Sequence, residues 1–473
     1  MYRTPGERLL ALSTQLDDLA TRSIQPWLEA GLDPQGGAYG FLDRFFVPRF
    51  SEPGGPRGPS EERRGDQSLV QQARHLFAYS FLHGRRPQAD PRLADFAHHL
   101  YAHLLLGFSR SASGQTQPGK PRQAPFSEQL SQAESMSIAR PLLHWVPRGG
   151  GWGSLPDPGP AHDWSEQAPY GAGSVQLYAQ GFAIYALCTY AQTFGASDAS
   201  RQALELFELL DAERHDRKYG GYDQTSDGGW MPFVSAPKGA AKCTNTHIHL
   251  LEALTPLCRC FPQQKTVLSR LKELARLISE TLLQPSGYVH KFFARDGAPL
   301  GPAEVSYGHD LETSWLLLDA SDALDEAGAL DVETKGVVLG ASRRMAEHAL
   351  RTGWDQAGGV FDSGIPEGAA EPPRVTGPEK VWWAQAESLP GLFRLYQQSA
   401  EPSLLDRLEE TFVFLSEKSW DAEGGEYFWG VDSQGNPAGR GVHKGEMWKT
   451  PYHALRACIL TADWIRQSLE RAG

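Results

Sequence analysis

A short element, glycine followed by an aromatic residue and often by an acid, recurs along the chain and constrains its fold more than any other feature. The last glycines of its copies are Gly37, Gly151, Gly221, Gly287, Gly359 and Gly425. These glycines are 114, 70, 66, 72 and 66 residues apart, so four of the five gaps are close to 70. A fixed period is the sequence signature of a repeat architecture. The 473 residues therefore predict one ring of repeats rather than two or three separate domains.

The first gap is longer because it contains polar stretches that are rich in Pro, Gly and Ser. They span roughly 48–65 and 109–125, and a glycine-rich loop follows at 149–172. Such composition is typical of surface insertions. We therefore predict a single domain over residues 1–473, with insertions near 48–65 and 109–170.

Between the glycine elements, apolar residues recur at the spacing of buried helix faces. The pattern predicts twelve helices, near 6–30, 66–84, 90–108, 172–194, 198–212, 243–261, 264–284, 309–326, 332–352, 380–400, 402–418 and 446–470, and a thirteenth, shorter one near 129–144. Links that carry a glycine element are long and contain alternating aromatics, which favours short β-hairpins. The other links are short. We predict an all-α fold, an (α/α)6 barrel of six helical hairpins with the long loops on one rim.

Charge and composition exclude several classes of partner. The chain has 45 Lys and Arg against 57 Asp and Glu, a net charge of −12, which is unsuited to binding nucleic-acid phosphates or anionic lipid. It shows no apolar run typical of a signal peptide or a membrane span. Its five cysteines lack the spacing of a zinc site or a disulfide framework. We expect a cytoplasmic monomer or homodimer whose partner is a small molecule, with no nucleic acid and no membrane.

Polar and aromatic side chains cluster where each even-numbered helix of this pattern begins. Because these helix ends follow the long loops, they would all face the same rim. Within the cluster, His249 and Glu252 are three residues apart, as are His309 and Glu312, so each pair shares a helix face. A carboxylate beside an imidazole fixes its tautomer and raises its basicity, which suits general acid–base catalysis.

Other interpretations of the cluster stay open at this point. A His–Glu pair on a helix is often only structural, and His and Glu at this spacing also bind metals in helical bundles. Di-metal bundles use Glu-x-x-His and more carboxylates, whereas both pairs here are His-x-x-Glu, so no metal is predicted. Trp382, Trp383, Trp429 and Trp448 would individually be core residues. Beside polar groups, they suit a surface on which sugar rings stack.

Four of these motifs resemble the N-acylglucosamine 2-epimerase superfamily and are most similar to its cellobiose and mannose 2-epimerases. The motifs are NTHIHLLEA at 245–253, YGHDLETSW at 307–315, VWWAQAE at 381–387 and WKTPYHALR at 448–456. The resemblance implies the same (α/α)6 barrel. It also implies that His309 and His453 are the general acid and base, and that His249 assists, either in ring opening or in polarising the open-chain carbonyl. The additional His247 of the first motif makes the chain more similar to the epimerases than to related isomerases.

The resemblance further implies a set of substrate-binding side chains. They are Arg74, Tyr178, Asn245, Glu252, Glu312, Trp383 and Trp448. Tyr307 and Glu387, from the same cluster, are predicted to bind substrate with them.

These residues suit epimerisation at C2 of a reducing sugar. The reaction opens the ring, removes the C2 proton beside the aldehyde and returns a proton to the other face. Two imidazoles can alternate as base and acid while Arg74 or a neighbouring imidazolium stabilises the oxyanion, so no cofactor is required. We therefore expect a cofactor-independent sugar 2-epimerase that interconverts glucose- and mannose-configured mono- or disaccharides through an enediolate.

Three alternatives use the same fold. An aldose–ketose isomerase of the mannose–fructose type would protonate the same enediol at C1. An α/α-barrel glycosidase would need two carboxylates that flank a glycosidic bond, whereas this rim is rich in histidine. A sugar-binding protein would keep affinity without turnover.

Overall fold

Helices dominate the part of the chain that the computed structural model describes. That part comprises residues 4–33, 36–40, 42–47, 67–109, 125–142, 145–146, 175–225, 230–231, 236–367, 372–439 and 441–472. Its α-helices are α1 Pro5–Ala30, α2 Leu69–Arg85, α3 Leu93–Phe108, α4 Phe126–Ser135, α5 Leu177–Phe194, α6 Ser197–Arg214, α7 Thr244–Cys260, α8 Lys265–Leu277, α9 Tyr307–Glu326, α10 Val332–Thr352, α11 Trp382–Ser399, α12 Pro402–Val413 and α13 Tyr452–Ala472. The predicted insertion at 48–65, most of that at 109–170, and the glycine element at 149–151 lie outside the described residues.

The helices form two concentric rings. The inner ring consists of α2, α5, α7, α9, α11 and α13, each packed on the next, and α13 closes onto α2. The outer helices α3, α6, α8, α10 and α12 each pack on the inner helix that precedes them, while α1 packs on α13. The helix α4 packs on α3 as the short additional helix. The predicted all-α (α/α)6 barrel is confirmed.

Burial explains which helices occupy which ring. In α2 every residue over 69–82 is buried, whereas α8 buries a stripe that includes Val267, Leu271 and Leu274. A helix surrounded by others on all sides must bury its polar residues as well. Those polar residues then need partners inside the ring. No helix among the described residues is long and apolar enough to cross a membrane.

The predicted start of the last helix near 446 is wrong. The helix α13 begins at Tyr452, and the residues before it form a loop in which Glu446 N donates to Lys449 O. Pro451 disfavours helical backbone at the residue before it, so the helix starts only after the proline.

Short β-strands link the long loops at the rim. They are β1 Gln67–Ser68, β2 Trp145–Val146, β3 Lys242–Cys243, β4 Phe292–Phe293, β5 Pro299–Leu300, β6 Val305–Ser306, β7 Ser363–Ile365, β8 Arg374–Gly377, β9 Lys380–Val381, β10 Trp420–Asp421, β11 Glu426–Tyr427, β12 Gly430–Val431 and β13 Pro437–Ala438. The strand that enters an inner helix pairs with a strand of the next loop in β1–β2, β3–β4, β6–β7 and β9–β12. Single bridges, Val175 to Trp230 and Leu42 to Gly445, link the remaining neighbours. Each rim loop is therefore joined to both of its neighbours.

The repeated glycines leave room for a side chain that reaches up from an inner helix. Gly221 has φ +69°, and a Cβ there would lie 2.8 Å from His247 Nε2. Gly359 has φ +81°, and a Cβ there would lie 2.2 Å from Gln385 Oε1. The backbone N–H that follows each glycine is held at 3.0 Å by His247 or Gln385. At Gly221 and Gly359 the repeated glycine thus allows a contact between the loop and the inner helix that follows it.

Candidate active site

A cavity of about 360 Å³ lies inside the rim, where the inner helices begin. Side chains from all six inner helices or the loops that precede them line it. Those predicted from the sequence are Arg74, Tyr178, Asn245, His249, His309, Glu312, Trp383, Trp448 and His453. The closed ring thus brings together residues that are up to 379 positions apart in the chain.

Three predicted substrate-binding residues do not line the cavity. Glu252 and Glu387 are buried directly behind it and contact the histidines instead. Tyr307 is fully buried against Gly353 and Gly364. Because Tyr307 precedes His309 by two positions, about 200° around a helix, the two side chains point in opposite directions. The prediction that Tyr307 binds substrate is therefore not supported.

The three histidines of the cavity are held through the same ring nitrogen. Nδ1 of His249 lies 2.7 Å from Glu252 Oε2, and Nδ1 of His453 lies 2.7 Å from Glu387 Oε1. Nδ1 of His309 lies 2.7 Å from a hydroxyl, Ser306 Oγ. Among the described residues, no hydrogen bond involves the Nε2 atoms of these rings. Each Nε2 is therefore available to a ligand, as an acid or base requires.

A single guanidinium, that of Arg456, joins the carboxyl groups behind the cavity. Its Nη2 lies 2.7 Å from Glu312 Oε1 and 2.7 Å from Glu387 Oε1, and its Nη1 contacts Glu252. All four side chains are buried. Because two of these carboxyl groups hold His249 and His453, Arg456 indirectly orients both rings.

Charge counting places one extra proton in this network. Three carboxylates face Arg456, and the positive charge of Arg74 acts on two of them, Glu312 and Glu387. With two cations and three anions, one proton makes the group neutral. Burial raises the pKa of Glu312 to about 8, and burial together with the neighbouring Glu312 raises that of Glu387 well above its usual range. The carboxyl pair therefore holds this proton near neutral pH.

The pKa values of His309 and His453 shift in the opposite direction, downward. Burial, with the cations Lys291 and Arg74, lowers the pKa of His309 to about 4. Burial and Arg74 also lower the pKa of His453 well below its usual range. Both rings are thus neutral at pH 7. A protonated Glu387 carboxyl would donate a hydrogen bond to Nδ1 of His453. The hydrogen of this neutral ring would then lie on Nε2.

Aromatic rings form walls of the cavity. The ring centroid of Trp383 lies 4.6 Å from that of His309 and 5.6 Å from that of His453. On the other side, Tyr178 lies 5.7 Å from Trp448. Such surfaces offer stacking contacts to the C–H faces of a sugar.

Arg74 is fixed at the inner end of the cavity. Its Nη1 donates to Trp448 O and its Nη2 to Tyr178 OH, both at 2.9 Å. Its Cζ lies 4.3 Å from the ring centroid of Phe182. A buried, oriented guanidinium of this kind stabilises an oxyanion that develops beside it.

One group of possible metal ligands exists among the described residues, namely Glu312, Glu387 and His453. The Oε1 atoms of both carboxyl groups are already 2.7 Å from Arg456 Nη2. A cation on these oxygens would face the guanidinium at close range, which is electrostatically unfavourable. The donor set therefore fits a proton better than a metal ion.

Comparison with known proteins agrees with this arrangement. The model of the N-acylglucosamine 2-epimerase (GlcNAc 2-epimerase) family matches residues 161–457. The chain belongs to the N-acylglucosamine 2-epimerase family.

Relatives within the N-acylglucosamine 2-epimerase family include both epimerases and isomerases. A cellobiose 2-epimerase of Bacteroides fragilis is 30% identical over 290 residues, which cover 60% of this chain and 70% of that protein. A D-mannose isomerase of Marinomonas mediterranea is 26% identical over 300 residues, 59% of this chain and 69% of that protein. A cellobiose 2-epimerase structure from Spirochaeta thermophila covers 98% of both chains with a TM-score of 0.73 and 26% identity. The predicted family and isomerase class are confirmed.

In this N-acylglucosamine 2-epimerase family member, the structure also corrects the interpretation of His247. Its Nδ1 lies 2.7 Å from Cys243 O, and its Nε2 accepts from Tyr222 N at 3.0 Å. The ring is fully buried and is absent from the cavity lining. His247 holds a rim loop in place, so its presence does not favour an epimerase over an isomerase.

Several lining residues of this family member were missed by the sequence reasoning. They are Lys291, Glu304, Ser306, Asp362 and Glu379. All of them lie in the rim loops, where no helical period marks which side chains face inward. Ser306 alone could have been identified from the sequence, because it directly precedes a helix that carries a candidate histidine.

Proposed function

We propose that the protein is a cofactor-independent carbohydrate 2-epimerase that interconverts glucose- and mannose-configured reducing sugars. The supporting observation is that two imidazoles with available Nε2 atoms, His309 of α9 and His453 of α13, come from the inner helices on either side of α11. Trp383 of α11 adjoins both rings. The cellobiose 2-epimerases among the relatives support the same reaction.

Each step of the proposed reaction has a residue to perform it. His249, oriented by Glu252, assists opening of the sugar ring. Nε2 of neutral His309 takes the C2 proton, and the electron pair passes to the carbonyl oxygen of the enediolate, which Arg74 stabilises. Nε2–H of His453 then gives its proton to the other face of C2, while Glu387 replenishes Nδ1 with the proton of the carboxyl network. Release of the abstracted proton from His309 to solvent and uptake of a proton by Glu387 then restore the starting state, and a turnover in the opposite direction restores it directly.

Unpaired polar atoms of the cavity suit a polyhydroxylated ligand. Among the described residues, Asn245 Oδ1, Glu312 Oε2 and Trp448 Nε1 are buried without a hydrogen-bond partner. A buried polar group without a partner costs about 1–3 kcal/mol, which a bound hydroxyl would offset. The volume of about 360 Å³ lies at the lower end of the range for ligand pockets. These features support a sugar of one or two rings as the substrate.

An aldose–ketose isomerase is the second candidate, because a D-mannose isomerase is among the relatives. The two reactions share the enediolate and differ only in the carbon that receives the proton. Incubation of the protein with glucose, mannose, N-acetylglucosamine, cellobiose or lactose in D2O, followed by NMR, separates them. We expect the C2 epimer, deuterated at C2, as the main product. A ketose as the main product would identify the isomerase, and no exchange with any sugar would favour a binding protein.

The pH dependence of kcat/KM is expected to be bell-shaped. The acidic limb reports protonation of His309, whose pKa is about 4, so activity falls as the pH drops toward that value. The alkaline limb reports loss of the proton that the Glu312–Glu387 pair shares, since burial raises the pKa of both carboxyl groups, that of Glu312 to about 8. Initial rates across this range, with circular dichroism to verify folding at each pH, measure both limbs. An acidic limb at the ordinary histidine value of 6.5 would contradict the neutral, desolvated base.

A further inference from the structure

The partners of the three cavity histidines differ in chemistry. His249 and His453 are held by carboxylates, and His309 is held by the hydroxyl of Ser306. We propose that Ser306 is a positioning residue that fixes His309 in the tautomer with its lone pair on Nε2, so that this ring rests as the base of the acid–base pair. The inference rests on the proposed function and goes beyond it, since it assigns unequal roles to the two imidazoles.

The hydroxyl of Ser306 does not do what serine at this position usually does. Ser306 is the N-cap residue of α9 with extended backbone, yet its side chain makes no capping hydrogen bond. Ser68 has the same place before α2, and its Oγ accepts from Gln71 N at 3.1 Å. A serine at an N-cap is ordinarily there to make that bond. At α9 the hydroxyl instead lies 2.7 Å from Nδ1 of His309.

The rim ladder fixes the position of this hydroxyl. Ser306 belongs to β6 and pairs with Ser363 of β7. The next amide, Tyr307 N, donates to Asp362 O at 3.3 Å. Because the backbone is paired on this side, the oxygen approaches His309 from a strand rather than from a free loop. Pairing of this kind pre-organises a hydrogen bond.

A hydroxyl and a carboxylate act differently on an imidazole. Either can accept a hydrogen from Nδ1, which leaves the lone pair on Nε2 for the C2 proton. An ionised carboxylate also stabilises the imidazolium that forms, whereas a neutral hydroxyl does so only weakly. The hydroxyl of Ser306 can therefore set the tautomer of His309 without placing a negative charge beside the ring. His309 rests as the neutral base, and His453 rests as the acid.

The positive charges near His309 also favour the neutral form of its ring. The cations Lys291 and Arg74 face it. The acids that line the same cavity are Glu304, Glu312, Asp362 and Glu379. Glu312 is the buried member of this set, and its Oε1 is paired with Arg456. The hydroxyl of Ser306 is the group that is hydrogen-bonded to the ring, so replacing it changes the ring most directly.

Three substitutions at Ser306 test the inference against a matched control. Ser306→Ala is expected to lower kcat at least tenfold with KM within twofold, and Ser306→Thr is expected to restore kcat. Ser306→Asp is expected to move the acidic limb of the pH profile upward by about one unit or more, because a carboxylate favours the imidazolium. Ser68→Ala, the same change at a serine that caps a helix, is expected to leave kcat and the pH profile unchanged.

A second measurement does not depend on turnover. In protein labelled with 15N-histidine, long-range 15N–1H correlation spectra report the tautomer of His309, assigned by its loss in His309→Asn. We expect one tautomer in the unsubstituted protein and in Ser306→Thr, and a mixture in Ser306→Ala. An unchanged tautomer with unchanged kcat in Ser306→Ala would overturn the inference, as would a loss confined to KM. An inactive unsubstituted protein with the expected spectra would contradict only the proposed function.

Discussion

Replacing either His309 or His453 by asparagine is expected to lower the rate of C2 inversion by about 10²–10⁴-fold, the usual contribution of a general acid or base. Inversion needs a proton removed from one face of C2 and another delivered to the other face. With one imidazole gone, the remaining ring can still exchange a proton on its own face. Each variant should therefore exchange the C2 hydrogen of only one epimer with solvent deuterium, and the two variants should act on opposite epimers.

The control for these variants is His98→Asn on the outer helix α3, where the ring contacts Tyr190. This change is expected to leave the rate of C2 inversion within about twofold of that of the unsubstituted protein, because His98 does not line the cavity. NMR of each sugar in D2O measures inversion and exchange in the same sample. Normal inversion in both His309→Asn and His453→Asn would discard the assigned pair. Loss of exchange for both epimers in each variant would instead indicate that the rings act only together.

Replacing Arg456 by methionine is expected to produce the largest loss of stability of any single change considered. The guanidinium is fully buried and joins Glu252, Glu312 and Glu387. Removing one partner of a buried ion pair typically costs about 3–5 kcal/mol, because the other charge is left uncompensated. The carboxyl groups would also stop orienting His453, so turnover should fall to the level of the histidine variants.

Two further variants make the Arg456 prediction decisive. Arg343→Met removes an exposed arginine that pairs with Glu347 at 2.6 Å on α10, and it is expected to cost less than about 1 kcal/mol. Arg456→Lys keeps a positive charge but cannot reach several carboxyl groups with a planar fork. It is expected to fold and to lose most of its turnover. Urea midpoints and initial rates provide the measurements, and near-normal stability of Arg456→Met would refute the proposed network.

The ring architecture could be predicted from the sequence because its cause is periodic. The glycine element recurs once in each rim loop, and at Gly221 and Gly359 it accepts a side chain, His247 or Gln385, from the inner helix that follows the loop. Between the glycine elements, apolar residues at helical spacing predict the helices. The start of α13 was misplaced because the apolar pattern runs across Pro451, and the conformational effect of that proline dominates locally.

The site was predicted in outline for a different reason. Residues at the beginnings of alternate helices must meet once the ring closes, so His249, His309 and His453 were identified together. Whether a side chain lines the cavity or lies behind it depends on the packing between helices. No sequence pattern shows that Arg456, in the last motif, would reach carboxyl groups on three other inner helices.

The closed chain of rim loops affects the entropy of substrate binding. Among the described residues, ladders and bridges hold each loop to the loop on either side. The paired segments of the rim are therefore ordered before a ligand arrives, and binding spends little free energy on freezing their backbone. A cleft that closes on its ligand uses part of its binding energy for that closure. In the proposed epimerase, more of that energy would remain for stabilising the open-chain form of the sugar, which is scarce in water.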